Sequence, residues 1–541
     1  MKSWYLLGIA VILSVSVPSS ILADSVTTAT IAEAEKILGL TFTSAQRSQM
    51  VQLLNNTAYW GNRMAFESMR THLLSNSDPP ALVFNPVPFR FEFESMQVPI
   101  SWSSPTHTTR PANVADLAFY SVRDLGELIR TGQLTSLELT TLCLDRLKRY
   151  DSSLFCVVTL TEDLALSQAA RADAELADGM YRGPLHGIPY GIKDLFATKT
   201  YPTTWGAAPY KDQVIDEDAF VVQKLEQAGA VLVAKLACGA LAQGDVWFGG
   251  RTRNPWNISQ GSSGSSAGPA SATAAGLVPF AIGTETLGSI IAPCRRCRVT
   301  GLRPSFGRVS RTGAMTLSWS MDKIGPICRT VEDCAIVFEA IRGPDGVDEA
   351  VLDIPFNYEP DRVLSDLRVG YRPGVSSAIR NQLAAIVGES QLVSLSLPYY
   401  PYSAMTMIVD AEAAAVFDEL TRSGDDALLT AQGKWDWPNL LRTARTIPAV
   451  EYIQADRLRR RLIQDVAALM NTVDVWVASD EWATLCITNL TGQPCVVIPH
   501  GGGNSLSFIG GLYDEATILA LAKAYQDRTA YHTGKPPLFV E

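Results

Sequence analysis

The 541-residue chain is short of charge and of histidine. Only 18% of it is Asp, Glu, Lys or Arg, and the five histidines (His72, His107, His186, His500 and His532) are scattered. So dispersed a set argues against a histidine-built metal centre and gives a serine nucleophile no obvious imidazole partner. The formal net charge of -10 excludes a general nucleic-acid binder, because phosphate backbones reward clustered Lys and Arg. No Walker A motif occurs, and no G-x-G-x-x-G follows a strand-like run, so nucleotide-binding folds receive no support. Nine cysteines include one C-x-x-C, Cys294 to Cys297, with no second one to complete a zinc site. No metal and no cofactor are expected. Beyond the N-terminus no run reaches about 18 uninterrupted apolar residues, so no stable membrane insertion is expected of the mature chain. There is no fixed-period repeat.

What the chain does have is apolar content, 47%, enough for a well-buried globular protein with a large domain and an accessory segment. Lys2, the apolar stretch Trp4 to Val17 and Ala23 before Asp24 have the order of a secretory signal. Residues 1–23 are therefore read as a signal peptide, and the protein is expected to be secreted or periplasmic. Residues 24–112 read as a helical arm (IAEAEKIL, SAQRSQMVQLLNNTAYW, RMAFESMRTHLL) followed by a Pro/Ser/Thr-rich connector, with a strand expected at FRFEF, 89–93. No chemistry is read from this segment. From 113 to 541 helical patterns (SVRDLGELIRTG, SLELTTLCLDRLKRYD, EDLALSQAARADAELADG) are followed by strand-like runs (FCVVTL, VLVAKL, VPFAIGT, CVVIP). Their succession predicts an α/β protein with a sheet flanked by helices.

Two chemical features stand out. Residues 261–276, GSSGSSAGPASATAAG, are Gly, Ser and Ala throughout except Pro269 and Thr273. Gly264 to Gly268 matches G-x-S-x-G around Ser266, but a nucleophile elbow needs a strand just upstream, and TRNPWNISQGSS is polar and carries Pro255. The other feature is Lys193 in GIPYGIKDLF. Its ammonium either reaches water, pairs with Asp194, or is buried and loses its proton, becoming a base.

The order Lys193, then Ser265 in S-S-x-G, then Ser289 in G-T-x-x-x-G-S-I closely resembles the amidase signature family of serine amidohydrolases. The resemblance runs through TRNPWN (252–257), 263–290, TGLRPSFGRVS (300–310), SMDKIGP (320–326), TGQP (491–494), 508–525 and YHTGKPP (531–537). It covers about residues 115 to 541. Nine residues on from Trp256 and eighteen back from Gly283 both lead to Ser265 as the bridging serine. The resemblance implies a mixed central sheet with flanking helices, Ser289 as nucleophile and Lys193 as base. It further implies oxyanion donors in the backbone of Thr286, Leu287, Gly288 and Ser289, and a cis peptide bond between Gly264 and Ser265. Leu287 stands where Gly is frequent, which spares the backbone donor and adds bulk beside the acyl site. Glu285 stands where Asp is usual and Ile291 where Arg is often found, which reads as a matched loss of one ion pair or of a contact to an anionic substrate. Asp322 is either a substrate-side residue or a loop cap, and Trp247, with Trp435 and Trp437, is offered as pocket lining against the alternative of core.

The expected function is hydrolysis of a small-molecule amide to carboxylate plus ammonia or amine through an acyl-enzyme on Ser289, with a homodimer left open. Two alternatives stand beside it: the glutaminase-type subunit of a tRNA-dependent amidotransferase, and a non-catalytic binding relative.

Overall fold

The computed structural model describes residues 25–55, 75, 76, 78, 82–479 and 482–540. The expected signal peptide and the arm's third helix, RMAFESMRTHLL, lie outside these. The chain divides into two compact units, 1–75 and 76–541. In the first, the helices Thr28–Leu38 and Ser44–Leu54 each begin at a threonine, Thr27 and Thr43, whose hydroxyl accepts an N–H of the first turn. A 2.6 Å ion pair between Glu35 and Arg47 joins them.

The second unit is built on one mixed sheet of eleven strands. They are β1 (Val157–Leu160), β2 (Pro189–Lys193), β3 (Val231–Leu236), β4 (Phe280–Glu285), β5 (Thr300–Arg303), β6 (Lys323–Cys328), β7 (Val369–Tyr371), β8 (Leu392–Ser394), β9 (Val475–Ala478), β10 (Cys495–His500) and β11 (Asn504–Gly510). Their spatial order is β1-β3-β2-β4-β6-β5-β10-β11-β9-β7-β8. The pairs β2–β3, β2–β4, β7–β8 and β7–β9 are parallel. β2, β3, β4 and β6 are buried along their whole length, as expected of strands covered by helices on both faces. That explains their nearly continuous apolar runs.

The mixed sheet with flanking helices agrees with the architecture expected from the sequence. The expected helices appear at Val122–Arg130, Ser136–Leu154 and Glu162–Ala177. The strand expected at FRFEF is absent: Arg90 adopts φ 63°, which breaks extended pairing. Phe91 and Phe93 instead set their rings 6.0 and 5.7 Å from Tyr513. The connector is fastened by polar contacts. Gln97 donates to the Phe356 carbonyl at 2.9 Å, and the Ser103 N–H donates to Glu332 at 2.6 Å.

Beneath β2 and β3 lies a fully buried ion pair, Lys235 Nζ to Asp194 Oδ1 at 3.1 Å. Thr204 donates from both its N–H and its hydroxyl to the other Asp194 oxygen. Lys235 also donates to the Phe196 carbonyl at 3.0 Å and to the Thr203 hydroxyl. Removing one partner of such a pair leaves an uncompensated buried charge, at a cost of about 3–5 kcal/mol. Asp194→Ala should therefore lower the denaturant midpoint sharply, while Asp194→Leu with Lys235→Met should recover most of the loss; equal midpoints for the two variants would refute this.

Candidate active site

Three chain segments converge at one end of the sheet. β2 ends in Lys193, and the next strand, β4, runs parallel to it, with Ile192 opposite Ile282. Lys193 is fully buried. Its Nζ lies 2.7 Å from Ser265 Oγ, 2.8 Å from Thr284 Oγ1 and 3.5 Å from the Thr284 carbonyl. The neighbouring carboxylate is not its partner, because Asp194 is taken by Lys235. Lys193 thus makes no ion pair with a carboxylate among the described residues, and burial pushes its pKa down to about 8.

Ser265 sits just before the helix Ala267–Ala274, and the Gly264–Ser265 peptide bond is cis. A Cβ on Gly264 would meet the Gly244 carbonyl oxygen at 1.8 Å, so only glycine fits. Ser266 has a different task. Its N–H donates to the Ser289 carbonyl at 3.1 Å, and its hydroxyl both donates to the Thr284 carbonyl and accepts the Thr284 N–H, at 3.1 and 3.2 Å. This backbone stitching ties the Ser265 loop to the turn bearing Ser289 and occupies the hydroxyl that G-x-S-x-G would make a nucleophile.

Ser289 is 8% exposed and precedes the helix Ile291–Cys297. Gly288 has φ +96°, and a Cβ there would press on Leu485 at 2.9 Å. Glu285 accepts the N–H groups of Ile290 and Ile291, both at 2.9 Å, on one oxygen. The other oxygen takes Arg303 Nη1 at 2.7 Å and Asn489 Nδ2 at 2.8 Å. Burial raises the Glu285 pKa, but Arg303 and the N–H donors outweigh it and hold the carboxylate charged. Glu285 therefore has a cationic partner although Ile291 supplies none. The N–H groups of Thr286, Leu287, Gly288 and Ser289 find no acceptor among the described residues.

Asp322 receives Thr286 Oγ1 at 2.5 Å and the N–H groups of Leu317 and Ser318 at 2.7 and 2.9 Å. It thereby caps the 317–322 loop and steadies the turn before Ser289. A cavity of about 460 Å³ opens beside Thr284, Thr286 and Asp322 and is walled by Phe306, Met315 and Trp319. Leu82, Val83 and Phe84 of the connector also line it, a contribution that no local pattern in the sequence announced. Lys323 lines it too. That residue is a second lysine whose pKa burial drives far down, but its Nζ donates to the Met321 carbonyl. Trp247 lies outside the lining, with its indole N–H on the Phe155 carbonyl at 3.2 Å. Trp437 is buried and donates to the Leu241 carbonyl at 2.8 Å, and Trp435 is exposed.

All nine cysteines are free and buried. Cys294 and Cys297 pack in the core and form no disulfide. No cluster of three metal-ligating side chains occurs among the described residues.

A buried lysine against a serine, next to a turn of open N–H groups, defines an α/β site suited to acyl transfer. Residues 138–480 match the family model described as Amidase. The chain is 32% identical over 481 residues to one subunit of the glutamyl-tRNA(Gln) amidotransferase of Roseiflexus sp. (strain RS-1), covering 78% of this chain and 99% of the relative. Among solved structures, the peptide amidase of Stenotrophomonas maltophilia superposes with TM-score 0.67 at 30% identity, over 78% of this chain and 99% of that one. A structure from work on a vestigial protein complex and the origins of an s-triazine catabolic enzyme gives TM-score 0.68 at 25% identity, over 75% and 98%. The chain belongs to the amidase signature family.

Gly264→Ala should force the Ser265 loop to shift away from the Gly244 carbonyl, lowering the denaturant midpoint and costing on the order of 10²-fold in reactivity at the site, since misplacement by about 1 Å has that effect. Retention of full reactivity toward a serine-directed probe would contradict this packing.

Proposed function

We propose that the protein hydrolyses a carboxylic amide through an acyl-enzyme on Ser289, with Ser265 and Lys193 as a proton relay. The observation that carries the proposal is the 2.7 Å contact between the buried Lys193 amine and Ser265 Oγ, in a setting whose burial lowers the amine's pKa to about 8. In the first step Ser289 Oγ attacks the amide carbonyl carbon. Its proton passes to Ser265 Oγ as the Ser265 proton passes to Lys193 Nζ. The carbonyl oxygen becomes an oxyanion facing the open N–H groups of residues 286–289, donors worth about 2.7–4 kcal/mol each when correctly aimed. Collapse of the tetrahedral intermediate breaks the C–N bond. The relay runs backwards to protonate the leaving nitrogen, which departs as ammonia or an amine. Water then attacks the ester, gives its proton to the relay, and releases the carboxylate and Ser289.

Thr284 is a positioning residue in this scheme: its hydroxyl and carbonyl direct the amine so that a lone pair faces Ser265. The Asp322 carboxylate acts through Thr286.

A second reading is favoured by the identity to an amidotransferase component: the same chemistry would release ammonia from glutamine for a partner protein. Export through the N-terminal segment read as a signal would oppose it. Co-purification of the tagged chain with partner proteins from the cytosol would support it, and recovery of the chain alone from the exported fraction would discard it.

A fluorophosphonate probe should modify Ser289, as located by mass spectrometry, and Lys193→Ala should abolish the labelling. Lys323→Met should keep it. Modification at Ser266, or none in folded protein, would overturn the mechanism. Because the neutral form of Lys193 is the base, its active fraction grows with pH. The value of kcat/KM should rise about tenfold per pH unit below about 8 and level off above; a pH-independent profile would contradict the role of Lys193.

A further inference from the structure

The cavity beside Thr284, Thr286 and Asp322 changes character from its floor to its mouth. Thr286 belongs to the turn of open N–H groups, so a molecule presenting its carbonyl there extends its remaining atoms into this space. The floor is apolar and buried, with Leu195, Phe306, Met315 and Leu317. Leu82 and Val83 of the connector also line the cavity, yet they are 79% and 55% exposed. Phe84, next in the chain, meets Phe306 edge-on with ring centroids 5.1 Å apart and lies 3.5 Å under the Arg459 guanidinium. Those contacts anchor the connector at the cavity. Two large apolar side chains left in water at its edge are covered when an apolar ligand enters.

Both bases among the described lining residues are engaged. Arg311 holds Asp348 through two N–H groups, at 2.7 and 2.8 Å, and gives a third to the Trp319 carbonyl at 2.6 Å. Lys323 is buried and donates to the Met321 carbonyl. Neither is left to receive a carboxylate. Among the acids, Asp348 is taken by Arg311, and Asp322 by Thr286 and two backbone N–H groups. Asp78 lines the cavity as well, and Ser77, Pro79, Pro80 and Ala81, outside the described residues, carry no charge. Glu217 and Glu349 differ from the rest: both are exposed and make no ion pair among the described residues. The backbone brings them to one mouth. The Phe220 N–H donates to the Thr312 carbonyl at 3.1 Å, and the Arg311 N–H donates to Asp348 at 3.0 Å. The loop bearing Glu217 and the loop bearing Glu349 are thus both tied to the segment 311–313, which itself lines the cavity.

We propose that this cavity selects the substrate: an amide with an apolar body lying along Phe306, Met315 and the connector, no carboxylate, and a cationic group at its far end facing Glu217 and Glu349. The inference rests on the acyl-enzyme reading given above and adds the substrate class to it. The volume of about 460 Å³ suits a small molecule. Attraction to exposed carboxylates is modest and screened by salt, so apolar contact holds the body while the two acids sort among its ends.

The test uses fluorophosphonates bearing an ethyl group, a long alkyl chain, or a chain of that length ending in an ammonium or a carboxylate. The readout is the second-order rate of labelling at Ser289 in the full chain. The alkyl probe should react roughly tenfold faster than the ethyl probe, and Leu82→Ser/Val83→Ser should reduce that ratio. The ammonium probe should outpace the carboxylate probe about tenfold at low ionic strength, and molar salt should bring the two together. Glu217→Gln/Glu349→Gln should shrink the ammonium-to-carboxylate ratio to about twofold. Asp212→Asn, which removes an exposed acid outside the lining, should leave it, separating the two glutamates from the general pull of a chain of net charge -10. Labelling at rates that ignore the tail, or that favour the carboxylate, would overturn this inference and leave the acyl-enzyme reading standing. No labelling of Ser289 by any probe, in folded protein, would overturn both.

Discussion

The desolvated amine of Lys193 is the constraint on which the rest of the site depends. An exposed lysine is protonated at neutral pH and has no lone pair to accept a proton. Complete burial lowers the pKa, here to about 8, and leaves a usable neutral fraction only if no carboxylate pairs with the amine to restore the charge. The fold meets that condition by distribution. Asp194, adjacent in sequence, is neutralised by Lys235, and Glu285, at the end of the neighbouring strand, is held by Arg303. Asp322 is occupied by Thr286 and two backbone N–H groups. Each nearby acid has its own donors, and Lys193 is left with hydroxyls and a carbonyl.

The same arrangement fixes the two serines. Ser266 spends its hydroxyl and its N–H on the backbone of Thr284 and Ser289. The loop carrying Ser265 and the turn carrying Ser289 are thereby stitched together across β4. Glu285 gathers the Ile290 and Ile291 N–H groups, while those of residues 286–289 stay open. One buried carboxylate thus separates the donors that start a helix from those available to an oxyanion.

Much of this was legible in the sequence. Buried strands at VLVAKL and VPFAIGT follow from unbroken apolar runs, and ordered motifs from Lys193 to Ser289 carried the family and its register. What was not legible was pairing at a distance. Lys193 and Asp194 are neighbours in the chain, but successive side chains of extended backbone point to opposite faces, so the adjacent acid serves Lys235 instead. The substitution at 291 suggested a lost ion pair, yet Arg303, two strands across the sheet, supplies one. Alternation in FRFEF suggested a strand, where a left-handed residue and ring packing against Tyr513 prevail. Leu82 to Phe84 entered a cavity wall from a Pro-rich connector.

The most direct test is the charge of Lys193 itself. In protein labelled with ¹⁵N-lysine, the Nζ resonance assigned by its absence in Lys193→Arg can be followed through pH. The account predicts a titration midpoint near 8. A midpoint at the ordinary value of about 10.4 would mean that the amine is charged under working conditions, and Lys193 could not be the base.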